Sequence, residues 1–394
     1  MDFKPAVIHT TRAVYAMNWY DISPGLIFIQ SSLSLNKVQL GLVITIFYIG
    51  VGIFQIPAGF IASKFGNRNI AAIGIIGLGA SSLISGLSPD FFVLSASRFL
   101  AGCFSAMFFS PAIGLLRSAT SDSNYNMQVN IFNGSFNIGA AVGIGAWNSI
   151  DLLMGWRVGF LIAGFLTVAT GIFYFFSLLS VQEEKSPYSP GRNLLNVLKS
   201  RVVWILAVAG TASVISENVV GQFLVYYLED GLNFSYAAAS YSGSIFLVFG
   251  FVGGILGGLT INKFRSVKSF FVASISITSF LMISISFFHN LIVIYLISAV
   301  LGMFTVQGFS AIYVLVSRSM SHRSQTTSSL SVVNAAQEVP GSIWPYVFTL
   351  LVAGVGYGRS WDILGLVSFG MMFIILIPFT ARKRDPEMND THMR

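Results

Sequence analysis

Charge is what this chain of 394 residues has least of: Asp, Glu, Lys and Arg make up 9%, against 54% hydrophobic residues. A soluble domain carries about 25% charged residues, so the composition excludes a chain that covers its own surface in water. Cysteine is nearly missing too. The single Cys103 rules out an intrachain disulfide, and its apolar neighbours in sequence read as the setting of a small buried hydrophobe. Histidine is sparse: His9, His289, His322 and His392 are scattered, and no His-Glu-x-x-His or Gly-x-Ser-x-Gly occurs. No metal or catalytic constellation is therefore expected, and the reading is of a non-enzyme without cofactors. Nucleotide chemistry has no footing either. Gly-x-x-x-x-Gly-Lys-Ser/Thr does not occur, and Gly77-x-Gly79 and Gly143-x-Gly145 lack the third glycine of a dinucleotide turn.

What the chain has instead is apolar length. A helix needs about 20 residues to cross the hydrocarbon of a bilayer. Apolar runs broken by polar or Gly/Pro punctuation fall near 12–34, 38–62, 69–88, 91–116, 127–150, 157–180, 202–228, 236–261, 269–288, 291–317, 325–354 and 361–381, which predicts twelve spans. The first run follows Lys4 and Arg12 but has no small-residue cleavage site, so it reads as a span and not a signal peptide. The longest polar interval, Val181–Ser200, separates six runs from six. The expected organisation is an N-terminal six-helix bundle over 1–180, a cytoplasmic linker over 181–201, and a C-terminal six-helix bundle with a basic tail over 202–394.

The net charge of +7 is explained by where the cations fall. With the amino terminus inside, 18 of the 22 Lys and Arg residues lie on the inner side, Arg12 among them. Only Lys37, Arg157 and Arg359 lie outside, and Arg98 is inside a span. This asymmetry follows the positive-inside rule and places both termini and the linker in the cytoplasm. The basic balance is thus topology, not a nucleic-acid footprint. The partners expected are the bilayer, a small-molecule solute and protons.

Two short basic stretches repeat half a chain apart. GFIASKFGNRN, Gly59–Asn69, recurs 199 positions later as GLTINKFRSVK, Gly258–Lys268. Both fall between an even span and the next, on the inner side, as two parallel six-span repeats would place them. Their glycines suggest close, tight turns between helices.

These features resemble the major facilitator superfamily over nearly the whole length. Its signature loop after the second span is matched by Gly59, Lys64, Gly66 and Arg68, with Ser63 where the family has an acid and Asn69 where it has a last cation. The second copy matches at Gly258, Lys263 and Lys268, with Asn262 in the place of the acid. In the family that acid latches the halves by facing a helix amino terminus; a hydroxyl or amide could still cap helix N–H groups. Gln55-Ile-Pro-Ala-Gly59, Arg98-Phe-Leu-Ala-Gly102 and Gly155-Trp-Arg-Val-Gly-Phe160 are similar to other family segments, whereas Ile144 stands where the antiporter signature in span five has proline. The resemblance implies an all-α membrane fold of twelve helices in two pseudo-symmetric bundles. It further implies secondary active transport of a small organic solute by alternating access, here expected to be proton-coupled symport by a monomer in a prokaryotic plasma membrane. Drug or metabolite efflux, and a transport-inactive receptor or scaffold on the same fold, are the alternatives.

Ionisable groups inside hydrocarbon cost about 2.5–3.5 kcal/mol each at a span centre, so they face a wet cavity or a partner. Asp21, Arg98, Glu217 and Glu338 stand out on this ground. Asn18, Asp21 and Gly25 share one helix face, as do Ser213, Glu217 and Gly221, and both faces are expected to line the solute path. Asn133, Asn137, Gln222, Gln307, Asn334 and Gln337 are secondary candidates, since intramembrane amides often only join helices. Three acids against one cation, Arg98, disfavour a simple anion path; no second intramembrane cation is apparent. Asp21 or Glu338 is the expected proton carrier.

Overall fold

The computed structural model describes residues 3–121, 124–183, 198–319 and 323–378. Most of the 181–201 linker, the basic tail and the extreme amino terminus lie outside them. Thirteen α-helices account for nearly all of the described chain, and no strand occurs among the described residues. They are α1 (Phe3–Tyr20), α2 (Ile22–Ser32), α3 (Lys37–Phe65), α4 (Asn67–Gly86), α5 (Phe91–Ser118), α6 (Tyr125–Met154) and α7 (Trp156–Ser177), followed by α8 (Arg201–Tyr226), α9 (Tyr236–Thr260), α10 (Val267–Ser284), α11 (Leu291–Ser319), α12 (Arg323–Gly341) and α13 (Trp344–Met372).

Nine stretches of the described residues are long and apolar enough to cross a membrane. The twelve expected crossings accommodate these elements if α1 and α2 form one broken crossing, the more polar α6 is another, and Val332–Leu376 divides at Gly356. There the backbone leaves the helix at φ 81°.

The interruptions between α1 and α2 and between α12 and α13 have a common cause. Pro24 lacks the N–H that would bond to the Tyr20 carbonyl, and its ring crowds that carbonyl, so α1 ends at Tyr20 and Asp21 sits in the gap. Pro345 stands in the same relation to Gly341, the last residue of α12. Elsewhere caps decide the ends. Asn36 with Gln39, and Ser266 with Ser269, form reciprocal capping boxes, and Asp90 accepts from the Val93 N–H at 2.9 Å.

Large apolar side chains face outward along the helices, including Leu153, Phe165, Leu259 and Phe280. Inside lie polar groups such as Asp21, Arg98, Gln222 and Gln337. That inversion suits hydrocarbon as the surrounding solvent, because helices already satisfy their own backbone.

The repeat is visible in the packing. A side chain at Gly102 would meet the Phe47 carbonyl oxygen and the Val51 nitrogen; one at Gly302 would meet the Phe246 carbonyl oxygen and the Gly250 nitrogen. Phe47 and Val51 lie 199 positions before Phe246 and Gly250, the same offset as the two basic stretches. The α3–α5 crossing is thus repeated as α9–α11, with backbone against backbone. Between the halves, α3 packs on α12 and α13 while α9 packs on α6, again a related pair.

Gly59 and Gly258, by contrast, have nothing within 4 Å of a built side chain. The expected close approach at these two glycines is absent. The tight turn is made at Gly66, whose φ of 92° favours glycine.

Candidate solute and proton pathway

Asp21 occupies the break between α1 and α2, and both of its oxygens are engaged. Oδ1 accepts from Arg98 Nη1 at 3.2 Å and Oδ2 from Ser82 Oγ at 3.3 Å. Both partners of the ion pair are sealed, with side chains 1% and 0% exposed. The Arg98 guanidinium also lies over the Phe47 and Phe160 rings, at 4.7 and 5.7 Å, and its Nη2 reaches the Asn18 carbonyl at 3.5 Å. The sequence placed Asp21 and Arg98 in the membrane as candidates, and the fold makes them a pair.

Their direction differs from expectation. Asn18 donates to Thr167 Oγ1 on α7 at 2.7 Å, Asp21 meets α4 and α5, and Gly25 lies beside Asp151 and Trp156. The Asn18–Asp21–Gly25 face therefore turns into the N-terminal bundle, not toward the partner half.

On the Ser213–Glu217–Gly221 face, Ser213 is buried and Gly221 packs against the Tyr20 ring of the other half, so Glu217 alone of the three keeps accessible surface. From Ala209 to Tyr226 every residue of α8 is buried except Glu217, which keeps accessible surface. Glu338 on α12 is buried, with its Oε2 unpartnered, and lies within electrostatic reach of Glu217. Beside it, the Tyr313 hydroxyl donates to Asn334 Oδ1 at 2.9 Å, and Gln337 Nε2 donates to the same oxygen at 3.4 Å.

Arg12 corrects the charge count. Read from sequence as an inner-face cation, it lies nine residues into α1 and is only 7% exposed. Its guanidinium sits 4.5–4.9 Å from the ring centres of Tyr15, Phe109, Phe132 and Phe136. Nε and Nη1 are buried without a hydrogen-bond partner. The interior thus holds a second cation, and the sequence argument against an anion path loses its premise. The signal was weak because Arg12 precedes the first long apolar run, where a cation reads as a flank.

The other amides divide by role. Gln222 joins the halves through Nε2, which donates to the Trp19 carbonyl at 2.8 Å and the Tyr48 hydroxyl at 3.1 Å. Asn137 abuts Gly250 of the opposite half, Gln307 is buried against Gly257, and Asn133 is exposed.

Among the described residues, hydrogen bonds between the halves lie from the middle of the bundle to one end, the end expected to be outer. Lys37 Nζ pairs with Asp230 Oδ2 at 2.6 Å, and the Tyr357 hydroxyl donates to the same oxygen. Ser23 Oγ donates to the Gly221 and Gln222 carbonyls, and the Tyr226 hydroxyl to Gln30 Oε1 at 2.6 Å. Two buried acids at this end, Asp151 and Glu229, went unnoticed in the sequence. The Tyr236 hydroxyl donates to Asp151 at 3.4 Å, and both Glu229 oxygens are unpartnered.

At the opposite end Ser63 does not replace the missing acid: its hydroxyl donates to Phe60 of its own helix at 2.7 Å. The α4 amino terminus is instead capped by Glu183, whose oxygens accept from the Asn67 and Arg68 N–H groups at 2.5 and 2.9 Å. Arg68 Nη1 donates to the Leu179 carbonyl, so the hinge is tied to the end of α7 in its own half. Lys64 lies over the Phe65 ring, Lys263 is in a 3-10 turn, and Lys268 Nζ approaches the Ile377 carbonyl at 3.5 Å. The Asn262 side chain lies outside the described residues. No group of metal-ligating residues occurs among those described.

A bacterial homologue of the human lysosomal transporter Spinster, solved in an inward-facing and occupied conformation, has the same fold: the TM-score is 0.79 at 14% identity, over 95% of this chain and 96% of that one. A POT family transporter in complex with 5-aminolevulinic acid gives a TM-score of 0.77 at 15% identity, over 95% of each chain. Among curated sequences, the membrane sensor protein UhpC of Salmonella typhimurium is 23% identical over 58% of this chain and 57% of its own. The puromycin resistance protein pur8 of Streptomyces alboniger is 30% identical over 33% of this chain and 26% of its own. The aligned parts therefore span little more than half of the sensor and about a quarter of the resistance protein. The sequence model of the Major Facilitator Superfamily matches residues 8–345, and the chain, a multi-pass integral membrane protein, belongs to that superfamily of transporters.

Proposed function

We propose that the protein is a proton-coupled secondary active transporter of a small organic solute, working by alternating access as a monomer in a bacterial plasma membrane. The observation that carries the coupling is the sealed Asp21–Arg98 pair at the break in the first span. Adding a proton to Asp21 cancels one charge and leaves Arg98 with two ring faces and a carbonyl at 3.5 Å. Loss of the counter-ion frees the kink at Asp21 to change its angle, because Pro24 leaves the Tyr20 carbonyl without its helical partner there. Proton uptake is thereby linked to movement of α2, which carries Ser23 and Gln30 of the hydrogen bonds that close the outer end. The closed outer end supports one limb of an alternating cycle. Both halves being present in one chain supports a monomer.

The test uses the purified protein in proteoliposomes. Asp21→Asn keeps size and hydrogen bonding but does not titrate. It is expected to abolish accumulation driven by a pH gradient while solute exchange continues. Accumulation equal to the parent would end the proton reading and leave the pair a structural one. A receptor on the same fold is the second reading, favoured by the similarity to a membrane sensor; absence of any uptake or exchange by folded protein would select it.

A further inference from the structure

Arg12 on α1 and Glu217 on α8 lie within electrostatic reach of one another, from opposite halves of the chain. They interact electrostatically, yet they form no ion pair, and each retains unused capacity. The Arg12 guanidinium is held by four aromatic rings, whose faces stabilise positive charge, with the Tyr15 hydroxyl as its one nearby side-chain acceptor among the described residues. Its Nε–H and Nη1–H are buried and undonated. A buried donor without an acceptor costs free energy, more so when it is charged. A guanidinium left with its planar edge free matches a carboxylate in geometry. In the other half, Glu217 is the accessible residue of its stretch of α8, and Glu338 adds an unpartnered oxygen within its electrostatic reach.

The signs of these groups select the solute. A simple anion attracted to Arg12 would approach two carboxylates; a simple cation attracted to Glu217 would approach the guanidinium. In a medium of low dielectric either like-charge approach is expensive. A molecule with both charges at its two ends avoids both costs and fills the unmet capacity on each side. We propose that Arg12 and Glu217 together bind a small zwitterion between the halves, its carboxylate on Arg12 and its ammonium on Glu217. This rests on the transport reading above and names its substrate class. It also assigns Arg12 a recognition role that the proton-linked pair at Asp21 does not share.

Binding is read on the purified full-length protein, so it is separable from coupling: failure of Asp21→Asn to uncouple transport would leave it untouched. The probes are a ladder of ω-amino acids of increasing chain length, each compared with the alkanoate and the alkylamine of matching length. Thermal unfolding is followed with each probe at about 10 mM, since a ligand that binds the folded state alone raises its apparent stability. At least one ω-amino acid is expected to raise the unfolding midpoint, with its acid and amine counterparts ineffective. Arg12→Gln and Glu217→Gln are each expected to weaken that binding about 10- to 100-fold, the loss of one charge-assisted contact. Arg12→Lys, which keeps the charge within the aromatic box, checks that any loss is not misfolding and is expected to retain part of the affinity. An alkanoate binding as well as the amino acid, with Glu217→Gln indifferent, would overturn the zwitterion in favour of an anion. No response to any member of the ladder, or equal affinity in Arg12→Gln, would overturn the proposal.

Discussion

Neutralising Asp21 and Arg98 singly and together is the sharpest perturbation this fold offers. At 3.2 Å and an effective dielectric near 20, the charges attract by about 5 kcal/mol. Removing one member of a buried pair costs about 3–5 kcal/mol, mostly because the survivor is left uncompensated. The survivors here differ. Without Arg98, Asp21 keeps only the Ser82 hydroxyl at 3.3 Å; without the Asp21 charge, Arg98 keeps the Phe47 and Phe160 faces and the Asn18 carbonyl. Arg98→Gln is therefore expected to cost the upper part of that range and Asp21→Asn the lower. In the double variant no charge is stranded, so its cost falls to about 2 kcal/mol against about 8 kcal/mol for the sum of the singles, a coupling of about 6 kcal/mol. Equilibrium unfolding in mixed micelles, with all four proteins in one lipid and detergent composition, measures the cycle. A double variant within about 1 kcal/mol of the sum of the singles would refute the pair as the energetic unit of the first span.

Three further outcomes follow from contacts outside the pair. Glu183→Gln should weaken the α4 cap by about 1 kcal/mol, a charged acceptor at a helix amino terminus being replaced by a neutral one. Amide exchange at Asn67 and Arg68 should rise by about fivefold in consequence, and unchanged exchange would remove Glu183 from that role. Gly102→Val and Gly302→Val should both prevent a stable fold, since each side chain meets backbone. Gly59→Ala and Gly258→Ala should leave thermal stability unchanged, and a loss at either open position would contradict the packing. In a Cys103→Ala background, cysteine introduced at Lys37 should label from outside cells and cysteine at Ser186 or Asn389 should not; outside labelling of either of the last two would reverse the orientation.

Hydropathy is local, so the membrane character of the chain was legible in its letters. So was the 199-residue repeat, because a basic stretch at a membrane face needs only neighbouring residues to be recognised. Asp21 and Arg98 were legible as candidates for the same reason: an ionisable residue in an apolar run is conspicuous wherever the run folds. What each such residue faces depends on the phase of its helix against helices far away in sequence. Asp21 and Arg98 are 77 positions apart, and Asn67 and Glu183 are 116 apart. Nothing in the stretch around Ser63 announces that its missing acid is supplied from beyond α7. Arg12 shows the limit most clearly. Its letter and its place before an apolar run describe a cation at the inner face, while the two helical turns that precede it and four rings drawn from α1, α5 and α6 carry it inside. Composition decided that the chain lies in a bilayer. Only the packing of helices against one another decided which charges meet there.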